Sequence, residues 1–244
     1  METFIDRLRI VRERIAAAAQ RAHRDPATIR LVGVTKAQPV EAIRTALDAG
    51  LCEIGENRVQ EAEAKMTALE AERHRLTWHL IGHLQTNKAK KAAMVFDMVH
   101  SVDSLRLAQA INRYAAEVRR DPGRRLPILL QVNVSGEATK SGFDLYGWET
   151  QPDVYERFCA DVEQILALPH LDVRGLMTIA PWAPDPEAAR PVFRATRRLR
   201  DALAQRFPIA LWRDLSMGMT DDFEVAIEEG ATIVRIGRAI FGER

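Results

Sequence analysis

Eight short β-like runs alternate with helical stretches along this chain, and that alternation limits the fold more than any other feature. The runs cover 30–35, 52–55, 77–81, 98–102, 128–134, 173–179, 211–216 and 232–236. Helical periodicity occupies 40–49, 58–72, 86–94, 104–119, 154–168, 186–205 and 221–229. Strands separated by helices form parallel βα units, because a parallel neighbour is reached only by a crossover. Eight units in 244 residues suit a closed (β/α)8 barrel, which typically takes about 250 residues, better than an open sheet. Ahead of them, Phe4, Leu8, Val11, Ile15, Ala18 and Ala22 recur at spacings of three and four, an amphipathic helix that ends near Asp25-Pro26. No linker rich in Pro, Gly or Ser divides the chain. The expectation is one α/β domain over 1–244, a single TIM barrel with an extra N-terminal helix.

Composition removes several function classes. A hydrophobic fraction of 47% and a charged fraction of 28% are those of a soluble globular protein. A formal net charge of +1 gives no electrostatic reason to expect nucleic acid or an anionic membrane as partner. Cys52 and Cys159 follow no metal or redox spacing and suggest no disulfide framework, so a reducing cytoplasm is the simplest compartment. The first 23 residues are charged throughout and read as neither a signal peptide nor a membrane span.

Polar residues gather where a barrel keeps its active site. Lys36, Glu56, Asn57, Gly82, His83, Asp103, Asn133, Thr178, Ser216 and Arg235 stand at or just past the expected strand C-termini, the face on which barrel sites are built. The segment 215–242, LSMGMTDDFEVAIEEGATIVRIGRAIFG, reads as strand, turn, helix, strand and a new helical turn. Ser216 and Gly218 fall in its first turn, and Arg235 and Gly237 at the end of its second strand. A hydroxyl, flexible glycine backbone and a fresh helix N-terminus suit a phosphate monoester. In a barrel that site lies after the seventh and eighth strands. With the chain ending at Arg244, little is expected to follow it.

Lys36 closes the apolar run 31–35. A partly desolvated lysine on a barrel rim can act as an amine nucleophile toward an aldehyde. The plain alternative is a strand-end lysine reaching into water. A ligand that carries both a phosphate and an aldehyde would use both features, and pyridoxal phosphate carries both. Arg235 against a pyridine nitrogen would keep that nitrogen unprotonated and make the ring a weak electron sink. Its bland alternative is an ion pair with Asp221, Asp222 or Glu224.

Other residues are less decisive. Asn57 with Gln60 three residues later resembles a capping box. His79 and His83 are four apart, but on a strand and its following turn rather than on a helix face, so no metal site is expected. The loop 135–143, SGEATKSGF, with Lys140, is either a lid over the barrel mouth or an ordinary solvated loop. Arg119, Arg120, Arg124 and Arg125 around Asp121-Pro122-Gly123 read as a helix C-terminus and turn.

The segments VTKAQP (34–39), IGENRVQE (54–61), WHLIGHLQTNK (78–88), HSVDS (100–104), VNVSGEATKSGF (132–143), GLMTIAP (175–181) and 215–242 occur in order over nearly the whole chain. Together they resemble the pyridoxal phosphate homeostasis proteins, whose fold is similar to the barrel domain of bacterial alanine racemase. The resemblance implies that Lys36 holds the cofactor as a Schiff base and that Arg235 faces the pyridine nitrogen. It also implies that Ser216 and the backbone of Gly237 and Arg238 hold the phosphate, with Asn57 and Met217 near the ring or phosphate. Lys140 matches a lysine common in that loop and, with His83, is an accessory candidate. Arg58 stands where the family usually has tyrosine, and Arg238 where a smaller residue is frequent, which leaves Arg238 a backbone contact and puts its side chain in doubt.

The function so implied is reversible pyridoxal 5'-phosphate binding in intracellular homeostasis of the cofactor. It carries no robust catalysis, no catalytic residue and no metal, a monomeric state, and transient contact with apo-enzymes that use the cofactor. The competing reading is an amino-acid racemase, which needs an acid/base on each face of the cofactor. Tyr114, Tyr146 and Tyr155 lie outside the matched segments, and the chain ends without a second domain to supply one. A Schiff-base aldolase acting on a sugar phosphate would also need a barrel lysine and a phosphate site.

Overall fold

The computed structural model describes residues 3–118, 125–137 and 139–242. Eight parallel strands close into a barrel: β1 (Arg30–Val34), β2 (Glu53–Glu56), β3 (Thr77–Leu80), β4 (Met98–Val102), β5 (Leu126–Asn133), β7 (Leu171–Met177), β8 (Asp214–Ser216) and β9 (Ile233–Ile236). Each pairs with the next, and β1 pairs with β9 to complete the ring, Val32 opposite Arg235. A two-residue strand, β6 (Phe143–Asp144), pairs with β5 outside this ring. The expected eight-stranded barrel is therefore present, and β6 is an addition that two residues could not announce.

The outer layer is α2 (Val40–Asp48), α3 (Val59–Ala68), α4 (Ala89–Val95), α5 (Leu105–Val118), α6 (Pro152–Leu166), α7 (Arg190–Arg206) and α8 (Phe223–Glu228), with a final turn, α9 (Arg238–Phe241). The N-terminal helix α1 (Phe4–Arg21) begins with a Thr3 capping box completed by Asp6, so two of its first-turn amides are satisfied. It buries Leu8, Val11, Ile15, Ala18 and Ala19, and packs on α8 and α9. Burying each of the three large side chains is worth about 1.5–3 kcal/mol. Arg7 Nε donates to the Ile240 carbonyl at 2.8 Å, and Arg14 and Arg21 pair with Glu224 and Glu228. The same helix thus braces the C-terminal elements.

Strand alternation sorts side chains into two layers. Ile54, Trp78, Leu80, Leu215, Val234 and Ile236 join the large core between strands and helices. Val32, Met98, Leu129, Met177 and Ile233 form a small apolar cluster apart from it, inside the barrel. Above and beside that cluster the interior is polar: His79, His100, Ser216 and Arg235 are all buried.

Several expected boundaries shift for visible reasons. The run 211–216 shortens to Asp214–Ser216 because Trp212 takes φ 44°. Its indole Nε1 donates to the Phe207 carbonyl at 2.9 Å. The stretch 58–72 divides into α3 and a 3-10 segment, Glu70–Arg75. Ser216 ends β8 rather than lying in the turn after it. Of the expected basic cluster, Arg119, Arg120 and Arg124 lie outside the described residues, while Arg125 Nε donates to the Pro169 carbonyl at 3.1 Å.

Candidate functional site

A cavity of about 620 Å³ opens at the C-terminal ends of the strands, lined in part by Val34, Lys36, Asn57, Ile179, Met219, Thr220, Arg235, Gly237 and Arg238. Lys36 stands just past β1. Val32 faces the barrel interior and Val34 faces the cavity, and Lys36, in the turn that follows the strand, lines the same cavity. Asn57 follows β2 directly. Its backbone is crossed by Gly82, where an added Cβ would stand 2.3 Å from the Asn57 carbonyl oxygen. Only glycine permits this approach.

The structure separates the remaining expected residues. Arg235, Gly237 and Arg238 line the cavity with Lys36 and Asn57. Ser216 and Met217 are fully buried and are not among the lining residues. Gly218, at φ 94°, turns the chain so that Met219 and Thr220 reach the cavity instead. An added Cβ on Gly218 would stand 2.6 Å from that of Ala226, so the turn is specific to glycine. Asp222 fixes the far side of the turn by accepting from Met219 N–H at 2.6 Å. Thr220 is the hydroxyl that sequence reasoning missed. The segment offers two, in SMGMT, and only the turn at Gly218 decides which of them faces the ligand space.

One expectation is corrected and several others find their place. Asn57 caps nothing: Arg58 is the N-cap residue of α3, without a side-chain cap bond. His83 is exposed and pairs with Asp103 at 3.2 Å, whereas His79 is buried in β3, so the two are not brought together. Arg235 forms no ion pair with Asp221, Asp222 or Glu224 among the described contacts. Asp221 instead pairs with the Arg238 side chain at 2.7 Å. Lys140 Nζ contacts the carbonyl of Ile179 at 3.1 Å and Glu137 at 3.0 Å, at the cavity rim. Its loop is tied to β5 by Gln131 Nε2 to the Ser141 carbonyl and Asn133 Nδ2 to the Glu137 carbonyl, both 2.9 Å. None of Tyr114, Tyr146 and Tyr155 lines the cavity.

Arg235 is 4% exposed. Burial lowers its pKa to about 10, with Asp222 acting in the opposite direction, so it remains a cation at neutral pH. Its Nη1 donates to Ser216 Oγ at 2.7 Å and its Nη2 to the Thr178 carbonyl at 2.9 Å. Ser216 Oγ lies 2.9 Å from His100 Nδ1, and His100 Nε2 lies 2.9 Å from His79 Nδ1. Glu53 Oε2 is 2.7 Å from His79 Nε2, a close contact that falls short of an aligned hydrogen bond. Burial, then the neighbouring His79 ring and the Arg235 cation, holds the His100 pKa well below the ordinary value, so His100 is neutral. A guanidinium only donates. One hydrogen assignment then also gives the Ser216 hydroxyl proton an acceptor: Ser216 donates to His100, His100 donates to His79, and His79 Nε2–H is directed toward Glu53.

A second network lies behind Lys36, on the helix side of the sheet. Lys65 Nζ donates to the Thr35 carbonyl at 2.6 Å, to Glu56 Oε1 at 2.7 Å and to Glu61 Oε1 at 2.7 Å. Those three acceptors satisfy its three N–H bonds. Thr35 Oγ1 donates to Glu56 Oε1, and the Ala37 amide to Glu61 Oε1, each at 2.5 Å. Burial raises the Glu56 pKa, only partly offset by Lys65 and Thr35. Burial also pushes Glu61 upward, but Lys65 and the Ala37 amide prevail and hold it below the ordinary value. Ala37 sits at φ 58°, a left-handed conformation that costs a residue with a Cβ about 1–2 kcal/mol. A hydrogen bond to a charged group, worth about 1.5–3 kcal/mol, is enough to hold it there.

Among the described residues no group of three or more His, Cys, Asp or Glu could hold a metal ion, and no helix is long and apolar enough to cross a membrane.

Residues 7–244 match the family described as alanine racemase, N-terminal domain. The pyridoxal phosphate homeostasis protein of Aquifex aeolicus is 45% identical over 241 residues, covering 98% of this chain and 97% of its own length. That of Pseudomonas aeruginosa is 44% identical, covering 100% of this chain and 97% of its own. The structure of PipY from Synechococcus elongatus PCC7942 with pyridoxal phosphate bound superposes with a TM-score of 0.78 at 38% identity, over 95% of this chain and all of that one. An alanine racemase of Clostridium difficile 630 superposes at 0.69 with 16% identity, over 98% of this chain and 57% of that one. At that identity the likeness concerns the fold alone.

Proposed function

We propose that this chain, which belongs to the pyridoxal phosphate homeostasis proteins, binds pyridoxal phosphate reversibly, with Lys36 as the amine that condenses with its aldehyde. The observation that carries the reading is one cavity, of about 620 Å³, that an ammonium, a buried guanidinium, a hydroxyl and the start of a helix all face. The donor set fits the group. Lys36 suits the aldehyde, Arg235 the ring nitrogen, and Thr220 with the backbone of Gly237 and Arg238 the phosphate. Asn57 stands beside them. In this assignment Ser216 supports Arg235 and does not reach the phosphate.

When bound, the cofactor would supply an electrophilic aldehyde and an electron-withdrawing ring. Arg235 opposes the second property, because a cation that only donates keeps the ring nitrogen unprotonated. A racemase also needs a second acid/base opposite the lysine, and no tyrosine lines the cavity. Both observations favour a binding and homeostasis role over turnover, with the monomer in the cytoplasm exchanging cofactor with apo-enzymes, and with Lys140 at the rim in that exchange.

The test is the visible spectrum of the purified chain after incubation with pyridoxal phosphate, followed by borohydride and peptide mapping. The expected result is a visible band, with the reduced label on Lys36. Absence of the band and of any label would remove the reading and return the barrel to enzymes of phosphorylated substrates.

A further inference from the structure

Lys36 and Ala37 are the two central residues of a turn closed by Gln38 N–H donating to the Thr35 carbonyl at 2.9 Å. Every hold on that turn described above comes from the side of α3 rather than from the cavity. Glu61 accepts the Ala37 amide, Lys65 binds the Thr35 carbonyl, and Glu56 accepts the Thr35 hydroxyl. Glu61, Lys65 and Glu56 are absent from the cavity lining. A turn with Ala37 at φ 58° is not one that an alanine adopts unaided.

We propose that Glu61, itself held by Lys65, is the positioning residue for Lys36. Its carboxylate fixes the Ala37 amide and thereby the turn that aims the lysine side chain into the cavity. This inference rests on the reading of Lys36 as the reactive amine. Glu61 touches no part of the ligand space and acts only through the backbone next to Lys36. Because it sits one helical turn before Lys65 on α3, its carboxylate is shared between the ammonium and the amide. The carboxylate is therefore prevented from swinging away from the turn. Lys65 in this scheme is the latch and Glu61 the contact.

The experiment compares the full-length chain with Glu61→Ala, Glu61→Gln and Glu61→Asp. Two quantities are read: amide hydrogen exchange at Ala37 without cofactor, and the rate at which pyridoxal phosphate with borohydride labels Lys36. In Glu61→Ala the Ala37 amide is expected to exchange at least about tenfold faster, and labelling of Lys36 to slow about tenfold. Glu61→Gln keeps an oxygen that accepts from Ala37 and should restore most of both. Should Glu61→Ala fail to fold, Glu61→Asp keeps the charge but withdraws the oxygen by one methylene, and is expected to move in the same direction. Labelling at the wild-type rate in folded Glu61→Ala or Glu61→Asp overturns the proposal, as does a Glu61→Gln variant no better than Glu61→Ala. If the wild type itself takes no label, the functional reading fails separately. Reductive methylation of Lys36 by formaldehyde then decides the positioning role: a rate changed relative to the other lysines supports it, and an unchanged rate overturns it.

Discussion

The two polar networks that flank the cavity solve one problem in opposite ways. Behind Lys36 the groups are ionic: one ammonium is shared by two carboxylates and a carbonyl. Behind Arg235 the links are a hydroxyl and two imidazoles, with charge only at the ends, on Arg235 and Glu53. The first sits between sheet and helix and fixes a backbone turn. The second runs through the barrel interior and fixes a side chain. An ammonium flanked by carboxylates holds tightly but fails badly when one member is removed, since the others remain buried and charged. A chain of mostly neutral links loses one bond at a time.

Mutations can break or sharpen that contrast. The largest effect belongs to the amine proposed to take the aldehyde: Lys36→Ala is expected to abolish the visible band and the borohydride label, with little change in the denaturation midpoint of the apo chain. Lys65→Met should come next, costing about 3–5 kcal/mol of stability in urea denaturation because Glu56 is left buried without a countercharge. Ser216→Ala should cost about 1–3 kcal/mol by the same measurement, with cofactor affinity nearly unchanged. Equal losses for Lys65→Met and Ser216→Ala would erase the distinction drawn between the networks.

Acid should separate them as well. Although burial opposes it, contact with His79 and Arg30 lowers the Glu53 pKa from 4.5 to about 2. A depressed carboxylate stabilises the fold above its unfolded pKa, and that contribution is lost as pH falls from 4.5 through about 2. Glu56 is raised, so its contribution has the opposite sign and weakens as pH rises past 4.5. Glu53→Gln should therefore flatten the acid limb of a stability-versus-pH curve, and an unchanged slope would count against the Glu53 assignment. The smallest effect is expected at Thr220→Val, a rise of about five- to tenfold in the dissociation constant for pyridoxal phosphate. A larger rise for Ser216→Ala than for Thr220→Val would return the phosphate role to Ser216.

How much of this was readable in the sequence depended on the kind of signal. The barrel follows from the alternation of strands and helices, and the Lys36 rim position from its place at the end of the apolar run 31–35. The choice between Ser216 and Thr220 was not readable, because one glycine with positive φ redirects the chain between them. Asn57 resembled a helix cap because Gln60 lies three residues on, yet the helix starts later, at Val59. Lys65 carries no motif and lies inside the helical stretch 58–72 without a mark of its own. Its signal was its company: it shares a face with Val59, Ala62 and Met66, all buried, and a lysine on the apolar stripe of a helix needs an anionic partner inside. The His79–His100 link joins two strands, and no local spacing discloses it.

Closure of the ring by β1 against β9 also sets an order of events. Val32 and Arg235 are neighbours across that seam although about 200 residues apart in the chain. Lys36 follows the first strand made by the ribosome, and Arg235, the proposed ring-nitrogen partner, lies in the last. A nascent chain that has completed seven strands has Lys36 but neither the Arg235 guanidinium nor the cavity wall of Gly237 and Arg238. Contacts of such long sequence separation form late in folding. Acquisition of bound cofactor would therefore serve as a clock for completion of the barrel, and a stalled chain would leave the aldehyde in solution.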